Sequence, residues 1–207
     1  MTSFAEALAR RRAMASGAIW ASELWDGFFL GAGRDAENLA QLRARGVTHV
    51  LNCADDVPNF HEGEPGLVYE NLGIGDFGTD SGIARVFPRA IAFSRRAAGE
   101  GRLLVHCANG SNRSATVAIA VCMALKNLAL ADAWELVCER RTEAAPLRDN
   151  RAQLLEYEQE TCGVTTMREA GGRLERLQQV EGGLTVDAVD ALAGPSPPPS
   201  ARPSAVT

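Results

Sequence analysis

Short apolar segments alternate with longer amphipathic segments through most of the chain. The short segments are rich in β-branched, aromatic and aliphatic residues, which predicts strands at 28–31, 48–53, 67–74 and 102–105. The longer segments carry apolar residues at helical spacing, which predicts helices at 35–45, 85–96, 114–125, 130–141 and 150–160. Because strands and helices interleave, we expect an α/β domain with a central, mostly parallel sheet flanked by helices.

The two ends of the chain depart from this pattern. Residues 1–18 carry several arginines, and we expect them to form an N-terminal extension that is compatible with a helix. We expect the compact domain to span residues 19–163. Residues 164–207 are expected to form a C-terminal extension, with a short surface helix at 167–181. Its Pro/Ser-rich end is too poor in apolar side chains to order itself.

Charge and cysteine content narrow the class of protein. The net charge is −5, so neither nucleic acid nor an anionic membrane is an expected partner. The longest apolar run, at 115–125, is too short to span a bilayer. Five cysteines form no CxxC pair and three histidines lack paired spacing, so we expect no metal and no cofactor. An odd number of widely spaced cysteines favours a reducing compartment, the cytoplasm or the nucleus.

One segment of the chain has a pattern that points to chemistry. Residues 106–114 read HCANGSNRS and lie between a predicted buried strand and a predicted buried helix. In such a strand–loop–helix turn the backbone N–H groups point at a common centre, and the helix N-terminus adds positive partial charge. Gly110 supplies the φ freedom that the curvature of the loop needs. The segment therefore predicts a cradle for an anion.

Two side chains would make this cradle reactive. The N–H groups that bind an anion also stabilise a thiolate, and the thiolate is the nucleophilic form of Cys107. Arg113 offers two parallel donors to two phosphoryl oxygens, and Ser114 can donate a hydrogen bond to the sulfur. His106 is expected to order the loop through its ring nitrogens. The alternative is that Cys107 is only a small core residue beside the start of a helix.

The segment HCANGSNRS resembles the HCxxGxxR[ST] signature of the cysteine-dependent protein phosphatases. The chain from about residue 19 to residue 162 is similar to the dual-specificity phosphatase domain, through FLG at 29–31, VTHVLN at 47–52, FPRA at 87–90, and QL and YE at 153–154 and 157–158. The resemblance implies the cysteine-phosphatase fold with a strand–phosphate-loop–helix active site. It assigns the phosphate-binding loop to His106, Ala108, Asn109, Gly110, Ser111 and Asn112.

The resemblance also implies a reaction and a class of substrate. It implies hydrolysis of phosphotyrosine and of phosphoserine or phosphothreonine, through a cysteinyl-phosphate intermediate. The partner would be a phosphorylated protein, and a kinase is one candidate. Tyrosine-only phosphatases have a long tyrosine-recognition loop with no counterpart here, so we expect a shallow pocket.

Phosphoryl transfer to sulfur needs a proton donor for the leaving group, and a carboxyl group on a nearby loop can supply it. Asp76 and Asp80 are the candidates from the residues alone, and the resemblance favours Asp76. Both could instead solvate a loop or cap a helix. Asp55 and Asp56 follow another predicted strand and are weaker candidates.

Two other functions fit parts of the pattern. The first alternative is an RNA 5′-triphosphatase. The Asn directly before the Arg of the loop, Asn112, resembles the loop pattern of the RNA 5′-triphosphatases of the same superfamily. A pseudophosphatase that binds phosphate groups without turnover is the second alternative, although both Cys107 and Arg113 are present.

Cys53 is a candidate redox partner of the nucleophile. It ends the strand predicted at 48–53, and an adjacent parallel strand could bring it near Cys107. A disulfide between the two would protect an oxidised Cys107 from further oxidation. The alternative is that Cys53 is an ordinary core residue.

Overall fold

A five-stranded, mostly parallel sheet organises the domain. The computed structural model describes residues 9, 13, 20–75 and 82–177. The strands are β1 (Ser22–Trp25), β2 (Phe28–Ala32), β3 (His49–Ala54), β4 (Val68–Ile74) and β5 (Leu103–Cys107), in the order β1-β2-β5-β3-β4. β1 is antiparallel to β2, whereas the β2–β5, β5–β3 and β3–β4 pairs are parallel. The predicted α/β architecture is confirmed.

The helices are α1 (Gly33–Glu37), α2 (Leu39–Ala44), a 3-10 turn (Ile83–Val86), α3 (Phe87–Glu100), α4 (Arg113–Lys126), α5 (Leu130–Arg140) and α6 (Arg148–Cys162). Every residue of α4 from Arg113 to Met123 is buried, because this helix is apolar nearly all round and packs between the sheet and other helices. Within the described part of the chain, no helix combines the length and the apolar character needed to cross a membrane.

β5 lies at the centre of the sheet, and all five of its residues are buried. Its register pairs Cys107 with Ala32 of β2, and His106 with Asn52 of β3. The three parallel strands therefore end at the same edge of the sheet. In open parallel sheets this carboxyl edge is where ligands bind.

Successive side chains of β5 point to opposite faces of the sheet, and each face packs into its own hydrophobic cluster. Val105 and Cys107 face the larger cluster, which α3 and α4 cover. Leu104 faces a smaller cluster on the other side, with Phe29 and Val50 of the neighbouring strands. The face of β5 that carries Cys107 is thus the face against which α4 packs.

The single helix predicted at 35–45 is two short helices. Asn38 separates α1 from α2, with φ and ψ of −84° and 83°, outside the helical region. Its side-chain oxygen accepts a hydrogen bond from the Gln41 backbone N–H at 3.1 Å and so caps α2. The apolar spacing across 35–45 is helical in both pieces, so periodicity alone could not show the break.

The surface helix predicted at 167–181 is wrong for residues 167–176. These residues form an antiparallel hairpin of β6 (Met167–Ala170) and β7 (Arg173–Arg176). The turn is Gly171–Gly172, with φ of 56° and 79°, a conformation that favours glycine and suits a tight hairpin. Residues 177–181 lie at or beyond the end of this described segment. The domain boundary at 163 remains a prediction.

A buried carboxylate joins the hairpin to the helices. Glu158 of α6 is fully buried and accepts hydrogen bonds from the backbone N–H of Leu130 at 2.7 Å and of Thr166 at 2.8 Å. Leu130 begins α5, so the carboxylate satisfies a donor that the helix itself leaves without a partner. Met167, which follows Thr166, is buried against the same part of the core.

Candidate active site

Cys107 lies at the carboxyl end of β5, where the sheet meets the N-terminus of α4. Its side chain is buried, and its sulfur accepts hydrogen bonds from the Gly110 backbone N–H and from the Ser114 hydroxyl, both at 3.2 Å. α4 begins at Arg113, so its positive end faces the loop. The structure therefore brings together the predicted nucleophile, the loop amide and the serine hydroxyl.

Gly110 is required by its backbone and by its surroundings. Its φ is 68°, in the left-handed region that residues with a Cβ rarely adopt. A Cβ at this position would also collide with the guanidinium of Arg141 and with the Gly31 carbonyl. The predicted need for a glycine in the loop is thus explained by both constraints.

The guanidinium of Arg113 is held by the ends of two strands. Its Nη1 donates to the Asp56 carboxylate at 2.6 Å and to the Ile74 carbonyl at 3.0 Å, and lies 3.5 Å from an oxygen of Asp55. The Arg113 side chain is only 1% exposed, so it sits beneath the mouth of the cradle. Bidentate binding of a phosphoryl group by a guanidinium uses a pair of adjacent N–H donors.

Asp55 and Asp56 follow a strand, as the sequence suggests, but they contact Arg113, which the sequence does not show. Both directly follow β3, and both lie against Arg113. The hydrogen bond from Arg113 is the largest influence on Asp56 and lowers the pKa of its carboxyl below 3.8. Because Asp56 is ionised at neutral pH, it is poorly suited to donate a proton and better suited to position Arg113.

The two candidate general acids, Asp76 and Asp80, lie outside the described residues. The described chain reaches Gly75 and resumes at Gly82. The preceding strand, β4, ends at Ile74, whose carbonyl is bonded to Arg113. The choice between the two aspartates stays a prediction.

His106 is the residue of β5 directly before Cys107. Neither ring nitrogen has a hydrogen-bond partner among the described residues, and the side chain is fully buried. Burial lowers the pKa of His106 to about 4, so the ring is neutral at physiological pH. Its ring lies on the face of β5 opposite Cys107, and its role in ordering the loop stays a prediction.

Ser111 and Asn112 anchor the outer side of the loop to the segment before α6 and to the first turn of α6. The Ser111 hydroxyl donates to the Glu143 carbonyl at 2.5 Å. The side-chain oxygen of Asn112 accepts from the Leu147 backbone N–H at 2.9 Å and from the Asn150 amide at 2.8 Å. Asn112 thus holds the loop to the chain around the start of α6.

Arg141 is a residue of the site that sequence reasoning missed. Its place beside Arg140 at the end of an amphipathic helix is typical of a solvated residue, but its side chain is 1% exposed. Its guanidinium donates to the carbonyls of Gly110, Asn109 and Leu30. Nothing in the sequence distinguishes Arg141 from Arg140, because the difference lies in contacts with residues more than 30 positions away.

Cys53 lies on β3, next to β5. The register pairs Asn52 with His106, and Cys53 shares the larger core cluster with Cys107. Burial raises the pKa of the Cys53 thiol well above its usual range, the charge of Cys107 raises it further, and Arg113 opposes the shift. Both interpretations of Cys53, as a core residue and as a redox partner, fit this position.

Comparison with known proteins identifies the family of this site. The family model of the dual specificity phosphatase catalytic domain matches residues 28–160, which include the whole loop. The chain belongs to the dual specificity phosphatase family. Human dual specificity protein phosphatase 9 is 35% identical over 131 residues, or 63% of this chain and 34% of that protein.

Other members of the dual specificity phosphatase family show the extent of the likeness. Human dual specificity protein phosphatase 14 is 32% identical over 151 residues, or 71% of this chain and 73% of that protein. The crystal structure of human DUSP28 matches with a TM-score of 0.62 and 29% identity, covering 68% of this chain and 93% of that one. The chain spans only about a third of the length of phosphatases 9 and 6, so that likeness concerns the catalytic domain.

The Asp56–Arg113 pair gives this chain a pH-dependent contribution to stability. The folded-state pKa of Asp56 is depressed, so the pair stabilises the fold above pH 3.8 and stops doing so as pH falls through the folded pKa. Asp56→Asn should therefore lower the free energy of unfolding by less than about 1 kcal/mol at pH 7, since the carboxylate is more than half exposed. Urea unfolding of both proteins at pH 7 and pH 3 measures this.

The difference between the two proteins should be smaller at pH 3 than at pH 7, because the carboxylate begins to be protonated below pH 3.8. Asp26→Asn is the matched control, because Asp26 is almost fully exposed in its ion pair with Arg102. A difference for Asp56→Asn that is the same at both pH values would show that the charge of Asp56 does not stabilise Arg113.

Proposed function

We propose that this chain is a protein phosphatase that hydrolyses phosphotyrosine and phosphoserine or phosphothreonine through a phosphocysteine at Cys107. The observation that carries the proposal is the sulfur of Cys107, which accepts hydrogen bonds from a loop amide and from Ser114 beside the N-terminus of α4. Donors arranged in this way stabilise a thiolate and an incoming anion alike.

In the first step, the Cys107 thiolate attacks phosphorus and the bond from phosphorus to the substrate oxygen breaks. Arg113 and the loop amides carry the charge on the phosphoryl oxygens. Asp76, protonated at this stage, gives its proton to the departing oxygen, so that an alcohol or phenol leaves. Ile74 is bound to Arg113, and only Gly75 lies between Ile74 and Asp76, which supports Asp76 over Asp80.

In the second step, water attacks the phosphocysteine. The carboxylate of Asp76 takes the proton of the water, the bond from sulfur to phosphorus breaks, and inorganic phosphate leaves. The electron pair returns to sulfur, where the Ser114 hydroxyl, 3.2 Å away, donates a hydrogen bond to the re-formed thiolate. Ser114 therefore acts chiefly on the second step.

The substrate class rests on three considerations. Relatives with the same catalytic domain are named dual specificity protein phosphatases. The net charge of −5 disfavours RNA as a substrate. The side-chain oxygen of Asn112 already accepts hydrogen bonds from Leu147 and Asn150. We therefore propose a phosphorylated protein as the substrate, with a kinase as one candidate. All five cysteines are free, which supports a reducing compartment, the cytoplasm or the nucleus.

Replacement of the nucleophile tests this proposal. Cys107→Ser should lower the hydrolysis of an aryl phosphate roughly 1,000-fold or more without affecting folding, because a hydroxyl is not ionised near neutral pH. The assay is run without metal and with a reductant, and vanadate should inhibit only the wild type. Cys122→Ser is the matched control, since Cys122 is buried in the same helix that Arg113 begins.

Three outcomes would contradict the proposal. Equal activity of wild type and Cys107→Ser would exclude the thiolate mechanism. A folded wild type that binds phosphopeptide but hydrolyses neither peptide nor aryl phosphate would show a phospho-binding module instead. Faster turnover of 5′-triphosphate RNA than of phosphopeptides would favour the RNA 5′-triphosphatase.

The identity of the general acid has its own signature. Asp76→Asn should lower kcat roughly 100-fold on a phosphothreonine peptide, whose alkoxide needs a proton. The loss of kcat should be much smaller on p-nitrophenyl phosphate, because nitrophenolate leaves without needing a proton. Asp80→Asn, the matched variant in the same loop, should change neither rate substantially. A loss that depends on the leaving group in Asp80→Asn alone would assign the acid to Asp80.

We also propose that Cys53 resolves oxidised Cys107. Hydrogen peroxide oxidises the Cys107 thiolate to a sulfenic acid, and the Cys53 thiol then attacks that sulfur. A disulfide forms, and the hydroxyl of the sulfenic acid leaves as water with the thiol proton. The position of Cys53 on the strand next to β5, in the same core cluster, supports this.

Mild peroxide treatment followed by peptide mapping tests the role of Cys53. The wild type should show a Cys53–Cys107 disulfide and regain activity with a thiol reductant. Cys53→Ser should instead accumulate sulfinic or sulfonic acid at Cys107 and stay inactive. A wild type with over-oxidised Cys107 and free Cys53 would leave Cys53 as a core residue only.

A further inference from the structure

A second buried arginine lies behind the phosphate loop. The Nε of Arg141 donates to the Gly110 carbonyl at 2.6 Å, and Nη2 donates to the Asn109 carbonyl at 3.2 Å. Nη1 donates to the Leu30 carbonyl of β2 at 3.2 Å. One guanidinium thus joins the loop that follows β5 to the strand beside β5.

The peptide geometry of the loop explains why carbonyls need a partner there. The Gly110 amide points at the sulfur of Cys107, 3.2 Å away. A loop that turns its N–H groups towards a common centre turns carbonyls outward, and buried carbonyls need hydrogen-bond donors. A guanidinium carries five donors in a rigid plane, which an ammonium group cannot match.

We propose that Arg141 is a positioning residue of the active site: by binding the outward carbonyls of Asn109 and Gly110 it fixes the amides that face the phosphoryl group. This inference rests on the proposed phosphatase function. Arg141 acts through the loop and β2, whereas Arg113 is the arginine that we assign to the phosphoryl oxygens.

The charges around Arg141 fit this role. Burial lowers the pKa of Arg141, whereas Glu143, Asp35 and Cys107 raise it, and an arginine remains charged at any physiological pH. Asp35 is itself buried and accepts from the Ala32 backbone N–H at 2.7 Å, at the end of β2. The loop is therefore held between a fixed positive charge and the positive end of α4, and both favour an anion on Cys107.

A pair of alkylating reagents separates positioning from mere stability. Iodoacetate and iodoacetamide react with the same thiolate, but only iodoacetate is an anion that the loop amides can bind. The ratio of their rates at Cys107, read by peptide mapping, reports the anion cradle and needs no turnover. Protection of Cys107 from iodoacetamide by inorganic phosphate gives a dissociation constant in the same way.

Three variants make the comparison. Arg141→Lys keeps the charge and loses the planar set of donors, and Arg141→Gln keeps two donors and loses the charge. Arg102→Gln is the control, because Arg102 also donates to a carbonyl and two carboxylates. It precedes β5, at the end of the strand away from Cys107.

Both Arg141 variants should weaken phosphate protection roughly tenfold or more, the loss expected when about one charged hydrogen bond is removed. The iodoacetate preference should fall in both, and further in Arg141→Gln than in Arg141→Lys. kcat should fall more than KM rises, because the amides bind the transition state more strongly than the substrate. Arg102→Gln should change stability but neither the preference nor the protection.

Several results would overturn the inference. Folded Arg141 variants with the wild-type iodoacetate preference and phosphate protection would show that the loop holds its shape without Arg141. Variants that stay unfolded even in the cold with sucrose as stabiliser would show that Arg141 serves the core as a whole. If the wild type itself shows no iodoacetate preference and no activity, the proposed phosphatase function fails rather than the role of Arg141.

Discussion

The parallel pairing of β5 with β2 and β3 is the constraint on which the site depends. It ends three strands at one edge of the sheet, with Cys107 opposite Ala32. The chain must then enter α4, which is buried on nearly all sides and cannot move without disturbing the core. The loop from Ala108 to Asn112 is therefore held at both ends by fixed elements, β5 and α4. Its amides are oriented before any substrate arrives, which is the condition for electrostatic catalysis.

The charge of the side chains beside the loop is positive, whereas the net charge of the whole chain is negative. The chain has a net charge of −5, yet two arginines that are each 1% exposed lie beside the loop. Arg113 contacts the ends of β3 and β4, and Arg141 contacts β2 and the loop carbonyls. Each has acidic neighbours that offset the cost of burying it. The anion site therefore needs no overall basic surface, because its field comes from preorganised groups.

The loop of the candidate site could be predicted from the sequence because its residues are contiguous. Cys107, Gly110, Arg113 and Ser114 lie within eight residues, between a strand and a helix that periodicity reveals. The order of strands and helices was accessible for the same reason, since each element has its own local pattern.

The support of the loop could not be predicted in the same way. Arg141, the Asp56–Arg113 pair and the bond between Asn112 and Asn150 join residues that are 31 to 57 positions apart. No pattern along the chain marks such contacts, so Arg141 looked like its exposed neighbour. The hairpin at the end of the domain was missed although Gly171–Gly172 is a turn signal, because the charged residues around it also suit a surface helix.

The phosphoryl group that we propose on the sulfur of Cys107 can be trapped during turnover. In Ser114→Ala the thiolate loses a hydrogen bond of 3.2 Å, so it should leave more slowly and the phosphoenzyme should accumulate. The variant is mixed with an aryl phosphate, quenched in denaturant above neutral pH and mapped by mass spectrometry. We expect phosphate on the peptide that contains Cys107. Steady turnover with no phosphorylated peptide, or with phosphate on another residue, would contradict the proposal.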